Sequence, residues 1–181
     1  GSLATFTAVV AARREKLPAD FLKGTLYVSD QTHHAVTKAS SLAGFPAENV
    51  RAIPSDGRFR IRVDVLAERV AADRAAGLSP FFVCGNAGTT NTGAVDDLAA
   101  LAALCAKERL WFHVDGAYGG FFMLTGRGRA AMAGIERADS VVLDPHKGLF
   151  LPYGTGALLV RDAEVLRRAH AAGADYLPHM Q

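Results

Sequence analysis

Six apolar runs of four or five residues alternate with longer, alanine-rich stretches in this chain, and that alternation most limits the folds open to it. Runs of strand length, rich in β-branched and aromatic residues, separated by stretches with helical spacing, read as repeated β-α units around a mostly parallel sheet flanked by helices, an α/β fold. Strands are expected at Thr25 to Ser29, Val50 to Ile53, Pro80 to Cys84, Trp111 to Val114, Ser140 to Leu143 and Gly156 to Val160. A first helix covers Leu3 to Lys16, where alanine, valine and arginine dominate, and the Leu17-Pro18 step disfavours its continuation. Further helices are expected at His33 to Leu42, Val63 to Ala76, Val95 to Glu108 and Ala163 to Ala172, several closing near a glycine that serves as a C-terminal cap. Asp64 and Asp96 stand where N-terminal caps or first-turn acids belong.

Composition narrows the function classes. With 181 residues and 50% hydrophobic content, the chain can bury the core of a single globular domain. Twenty basic against eighteen acidic residues leave a formal charge of +2. No basic run has the length that grips nucleic acid or an anionic membrane, so the expected partners are a small molecule and another copy of the chain. Cys84 and Cys105 lie in apolar surroundings without CxxC or Cys/His zinc spacing, which points to buried free thiols and a reducing cytoplasm. No stretch approaches the roughly 18 consecutive apolar residues of a membrane span, and the start lacks a signal-peptide pattern, so a soluble, unexported protein is expected.

In open α/β sheets ligands collect at the carboxyl ends of the strands. Those ends supply Ser29-Asp30-Gln31-Thr32-His33-His34, then Gly85-Asn86-Ala87-Gly88-Thr89-Thr90, then Asp115-Gly116-Ala117-Tyr118-Gly119-Gly120, and Asp144-Pro145-His146-Lys147-Gly148. Taken alone, Lys147 is a solvated surface lysine and Asp115 a cap or turn residue. At the ends of two strands of one sheet they suit a shared chemistry. Burial and neighbours would lower the basicity of the Lys147 amine, leaving a nucleophile able to form an imine with an aldehyde cofactor. Asp115 would pair with a protonated ring nitrogen of that cofactor. Spacing leaves a second chemistry open: His113/Asp115 and Asp144/His146 are each two apart and can project to one side of an extended segment, as metal ligands in a metallohydrolase. That reading gives Lys147, His33 and the glycines no role.

Four segments, Tyr27-Val-Ser-Asp-Gln-Thr-His33, Gly88-Thr-Thr90, His113-Val-Asp-Gly-Ala-Tyr118 and Asp144-Pro-His-Lys147, together resemble the group II amino-acid decarboxylases that use pyridoxal 5'-phosphate (PLP). That family includes aromatic-amino-acid, glutamate, histidine and cysteine-sulfinate decarboxylases. The resemblance runs in motif order across essentially the whole chain and implies the large domain of a type I PLP-transferase fold. It makes Lys147 the lysine that carries the cofactor as a Schiff base, Asp115 the partner of the pyridine nitrogen and Ala117 a small contact on one ring face. His33 would stack on the other face, where an imidazole can also move protons. Thr90 would touch the cofactor through its hydroxyl. Ser2, at the N-terminus of the first helix, and His146 would hold the phosphate, the former where free N–H groups and the helix dipole favour an anion.

By themselves these residues are ordinary: His33 is a strand-end histidine satisfied by backbone groups, Gly-Thr-Thr is a turn, and His34 is structural and directed elsewhere. Two positions depart from the family pattern. Asp144 stands where asparagine is frequent, and a carboxylate beside a phosphate must be turned away, protonated or paired with His146. Gly148 replaces the bulky residue of many members, which would alter the wall of the site.

The implied reaction is decarboxylation of an L-amino acid to its amine and carbon dioxide, usually in a site built across a homodimer. Aminotransferase or carbon–carbon lyase chemistry stays open on the same core, because the protein chooses which substrate bond is broken. Residues 1–181 would be the PLP-binding core of the large domain, a fragment without the N-terminal segment, small C-terminal domain and mobile loop of longer members, and of little activity alone.

Overall fold

The computed structural model describes residues 1–170 and realises the expected alternation. Helix α1 (Ser2–Lys16) leads to β1 (Gly24–Ser29), α2 (Ala35–Leu42), β2 (Val50–Ile53), α3 (Val63–Ala75), β3 (Ser79–Asn86), α4 (Leu98–Glu108) and β4 (Trp111–Asp115). There follow α5 (Gly126–Ala131), β5 (Ser140–Leu143), the short α6 (Pro145–Gly148), β6 (Ala157–Val160) and α7 (Ala163–His170). The sheet order is β2-β1-β3-β4-β5-β6; β6 runs antiparallel to β5 and every other pair is parallel. The last two positions of the expected 163–172 helix lie outside the described residues.

Strand parity decides which residues meet which helices. Along β4, Trp111 packs with Val9 and Ala12 of α1, Val36 and Ala39 of α2 and Val165 of α7. Phe112 and Val114 face the opposite layer, with Leu66 and Val70 of α3 and Leu98 and Leu101 of α4. Asp115 has the parity of Trp111 and His113, so the sheet delivers it to the α1 side, beside the N-terminus of that helix. Leu26, Leu66, Leu98, Leu101 and Val36 are fully buried, each worth about 1.5–3 kcal/mol of transfer free energy.

The helix ends depart from expectation in instructive ways. The cap of α4 is Asp97, whose side chain accepts from the Ala100 N–H at 3.0 Å. Asp96 is turned inward, because two backbone donors, Ile61 N and Asn86 N, each meet it at 2.7 Å. Asp64 is a first-turn acid paired with Arg62, which itself holds the cap position of α3. Helix α2 begins two residues later than expected because His33 Nδ1 takes the Ala35 N–H. Helices α2 and α3 end before Gly44 and Gly77 as expected, whereas α4 closes on Arg109, itself left-handed at φ 56°. Cys84 and Cys105 are buried free thiols. Among the described residues, no helix is long and apolar enough to cross a membrane.

Candidate active site

The carboxyl ends of β1, β3, β4 and β5, with the first turn of α1, enclose a cavity of about 330 Å³. All eight side chains singled out from the sequence line it: Lys147, Asp115, Ala117, His33, Thr90, His146, Ser2 and Asp144. They come from positions as far apart as 2 and 147, brought together by the parallel pairing of β1, β3, β4 and β5.

Asp115 ends β4 opposite Asn86 of β3. Burial raises its pKa, a cost offset in part by the Ala117 N–H, which donates to Oδ1 at 3.1 Å. The turn that follows passes so close to β3 that the Gly119 N–H donates to the Ala87 carbonyl at 3.0 Å, and a Cβ at Gly119 would lie 2.2 Å from that oxygen. Glycine is therefore required there by contact, whatever its backbone angles.

Lys147 sits in the first turn of α6, its Nζ 3.2 Å from Asp144 Oδ2 and its side chain 39% exposed. The burial anticipated for this amine is not provided by the described residues; the following stretch, Leu149 to Tyr153, is itself exposed. Asp144 is buried beneath it. Burial works to raise the Asp144 pKa, and the Lys147 amine beside it works in the opposite sense. Of the ways a carboxylate was expected to be tolerated here, pairing is the one observed, and chiefly with Lys147; His146 Nε2 is farther, at 3.8 Å. Asp144 Oδ1 is 2.8 Å from the Gly1 nitrogen, yet no donor is aligned on it for a hydrogen bond.

His146 places Nδ1 against the Thr155 carbonyl, so that nitrogen carries the proton, and its ring meets Tyr153 edge-on at 5.0 Å. His33 is fixed the other way: Nδ1 accepts the Ala35 N–H at 3.2 Å, which puts the proton of the neutral ring on Nε2. Burial, followed by the neighbouring His34, lowers its pKa. His34 stays outside the cavity as expected, but it is not independent of the site, since its exposed ring lies 4.1 Å from that of His33. Ser2 opens α1, whose first turn holds no acidic residue, so its free N–H groups face the cavity without a neutralising side chain of their own. Ala117 is nearly buried and Thr90 exposed at the rim.

Gly148 itself does not line the cavity; a Cβ there would meet the carbonyl of Tyr118, which does, at 3.3 Å. Nor do the paired His and Asp residues form a metal centre: among the described residues no three His, Cys, Asp or Glu side chains converge as ligands. His113 is spent on the core, with Nδ1 2.8 Å from Ser140 Oγ and its ring stacked on Phe82 at 5.5 Å. The cavity also contains residues that drew no assignment from the sequence, notably Asn86, Tyr118 and Tyr153. Asn86 was within reach of the rule that found Asp115, being a polar residue that closes an apolar run.

All 181 residues match the model of the pyridoxal-dependent decarboxylase conserved domain. The chain is 44% identical over 177 residues to the aromatic-L-amino-acid decarboxylase of Bacillus atrophaeus, covering 98% of this chain and 37% of that protein. It is 36% identical to the cysteine sulfinic acid decarboxylase of Mus musculus, covering 98% of this chain and 38% of that one. Among solved structures, Oryza sativa TDC with PLP and tryptamine superposes with a TM-score of 0.93 at 35% identity, over 99% of this chain and 38% of that chain. The chain thus spans less than two fifths of the length of these relatives.

Proposed function

This chain belongs to the pyridoxal-dependent decarboxylase family, and from that membership we propose that it serves the PLP-dependent decarboxylation of an L-amino acid, releasing carbon dioxide and the corresponding amine. The observation that carries the reading is the pairing, in one cavity, of a carboxylate with an unused oxygen (Asp115) and an amine at its mouth (Lys147). A partly buried carboxylate whose charge is costly suits a cationic ring nitrogen, and the slot beside it is bounded by a small side chain and a flat ring, Ala117 and His33. The residues present therefore fit the cofactor.

Bound there, PLP supplies an electron sink for the pair left on the α-carbon when the carboxylate departs. The chain's own groups do the rest. Lys147 would anchor the cofactor, its amine held by Asp144 until it is used. Asp115 would keep the ring nitrogen protonated. His33, neutral with its proton on Nε2, would pack against the ring and hold a proton toward the cavity. The open N-terminus of α1 at Ser2, with His146, would receive the phosphate, and Thr90 would contact the cofactor from the rim. Transamination and carbon–carbon lyase chemistry are not favoured, since the family model and both relatives described above are those of decarboxylases.

The reading extends to a cytoplasmic homodimer with a small amino-acid substrate, and to no role for nucleic acid or membrane. Two buried free thiols suit a reducing compartment. Tyr153, at the cavity, and Phe150, three residues before it, are each 93% exposed and suit cover by a second copy. The test is the visible absorbance of the full-length protein with PLP before and after borohydride reduction, followed by peptide mapping and an amine assay across L-amino acids. A reducible band, an adduct on Lys147 and amine release are expected. An adduct elsewhere, or none, would overturn the assignment of Lys147; an adduct without amine or carbon dioxide from any amino acid would overturn decarboxylation.

A further inference from the structure

Asn86 has no part in the roles above, yet it is the last residue of β3, is 2% exposed and lines the cavity. Its amide nitrogen lies 2.9 Å from Asp96 Oδ2, 3.1 Å from Thr32 Oγ1 and 3.2 Å from Ser29 Oγ, so two hydrogens serve three acceptors. The orientation of the amide is dictated by Asp96. That carboxylate, itself 3% exposed, already accepts from Ile61 N and Asn86 N, and a carboxylate facing an amide demands its NH₂ end.

Ser29 and Thr32 in turn build the chain reversal between β1 and α2. Thr32 Oγ1 accepts from the Ser29 N–H at 3.0 Å, the Thr32 N–H donates to the Ser29 carbonyl at 3.1 Å, and Ser29 Oγ accepts from Gln31 N at 3.2 Å. The reversal has little apolar anchorage: Asp30 is exposed, and Gln31, Thr32 and His33 are partly so. Its start is tied to β2 by the Asp30 N–H on the Ile53 carbonyl at 3.0 Å. Its end, the residue before His33, is tied to the sheet through Asn86.

We propose that Asn86, oriented by Asp96, is a positioning residue for His33, holding the Ser29–Thr32 turn so that the imidazole stays against the cavity. The catalytic consequence rests on the role given to His33 above; the mechanical link does not. Its test is therefore made without cofactor, on the full-length apo-protein, by following acylation of His33 with diethyl pyrocarbonate and locating the label by peptide fragmentation, which separates His33 from His34. Losing one hydrogen-bonded tie should free the turn about fivefold, and Asn86→Ala should raise the His33 rate by that factor while leaving His146 unchanged. Asn86→Ser, which keeps one donor, should return the rate toward that of the parent. Thr32→Val removes the far end of the link, together with the Ser29 contacts of the same hydroxyl, without touching the Asn86–Asp96 pair, and should accelerate His33 at least as much as Asn86→Ala does. An unchanged His33 rate in a folded Asn86→Ala protein overturns the proposal; should that variant fail to fold, an unchanged rate in Thr32→Val does so. Neither outcome depends on PLP, so loss of the Lys147 adduct and loss of this link would be told apart.

Discussion

Replacing His113 by glutamine should change the acid stability of the chain in a direction and size set by where that ring sits. His113 is fully buried on the α1 side of β4, and burial lowers its pKa to about 3. Trp111 Nε1 donates to Ser140 Oγ at 2.8 Å, which leaves the serine hydroxyl to donate to His113 Nδ1; the ring proton is then on Nε2, which finds no partner. Unfolding releases this histidine to water, where its pKa returns to about 6.5. The folded value is depressed, so between those two values the unfolded chain binds more protons, and stability falls as pH falls. From pH 7 to pH 5 the loss from this residue is about 2 kcal/mol: roughly 1.5 units below the unfolded value at 1.36 kcal/mol each, independent of the exact folded value so long as it stays below 5. Glutamine is of similar volume and can accept from Ser140, but it does not titrate; its imperfectly paired amide should cost about 1–3 kcal/mol at pH 7. Urea unfolding at both pH values, followed by the fluorescence of the sole tryptophan, Trp111, reads the difference directly. The parent chain should lose about 2 kcal/mol more than His113→Gln between pH 7 and pH 5, bringing the two together. Parallel losses would mean that His113 titrates normally in the folded protein, and the burial argument would be wrong.

Asp73 should be as sensitive to neutralisation as any surface-distant carboxylate in the chain. It accepts from Tyr27 Oη at 2.8 Å and from Arg51 through Nε and Nη2 at 3.0 Å, and is 3% exposed. Asp73→Asn strands a largely buried guanidinium, at a cost of about 3 kcal/mol and a fall in Tm on the order of 10 °C by calorimetry; a fall within error would show that the pair is solvent-screened. Cys84 and Cys105 are both raised by burial, Cys105 to about 12, so neither should react with an aromatic disulfide reagent at pH 8 until denaturant is added. Stoichiometric labelling of the folded chain within minutes would contradict their placement.

What could be read from the chain without its structure was whatever is decided locally. Strand parity and the apolar-to-polar transition at a strand end are local, so Asp115, Lys147, His33 and the Gly88-Thr89-Thr90 turn were all found on the side of the sheet where the cavity lies. The choice between neighbours is not local. Asp96 and Asp97 are equivalent as sequence, and only the arrival of Ile61 N and Asn86 N from 35 and 10 residues away separates a buried acceptor from a helix cap. Asn86 is visible locally as a polar strand end, but what it holds is not, since its partners Ser29 and Thr32 lie 57 and 54 residues earlier.

The surroundings of Lys147 fail in the opposite sense. The motif implies an amine desolvated by burial, whereas the folded chain gives it a carboxylate partner and leaves it at the mouth of the cavity. Desolvation of a side chain depends on every surface that closes over it, and among the described residues four strand ends with one helix terminus make the floor and walls of the site. Asp144 follows the same logic. A carboxylate that looked unfavourable beside an anion becomes the counter-charge that steadies the lysine in an open site. The residues that define the reaction can therefore be recognised from the order of motifs. The residues that hold those groups in place must be found by tracing where each buried donor and acceptor ends.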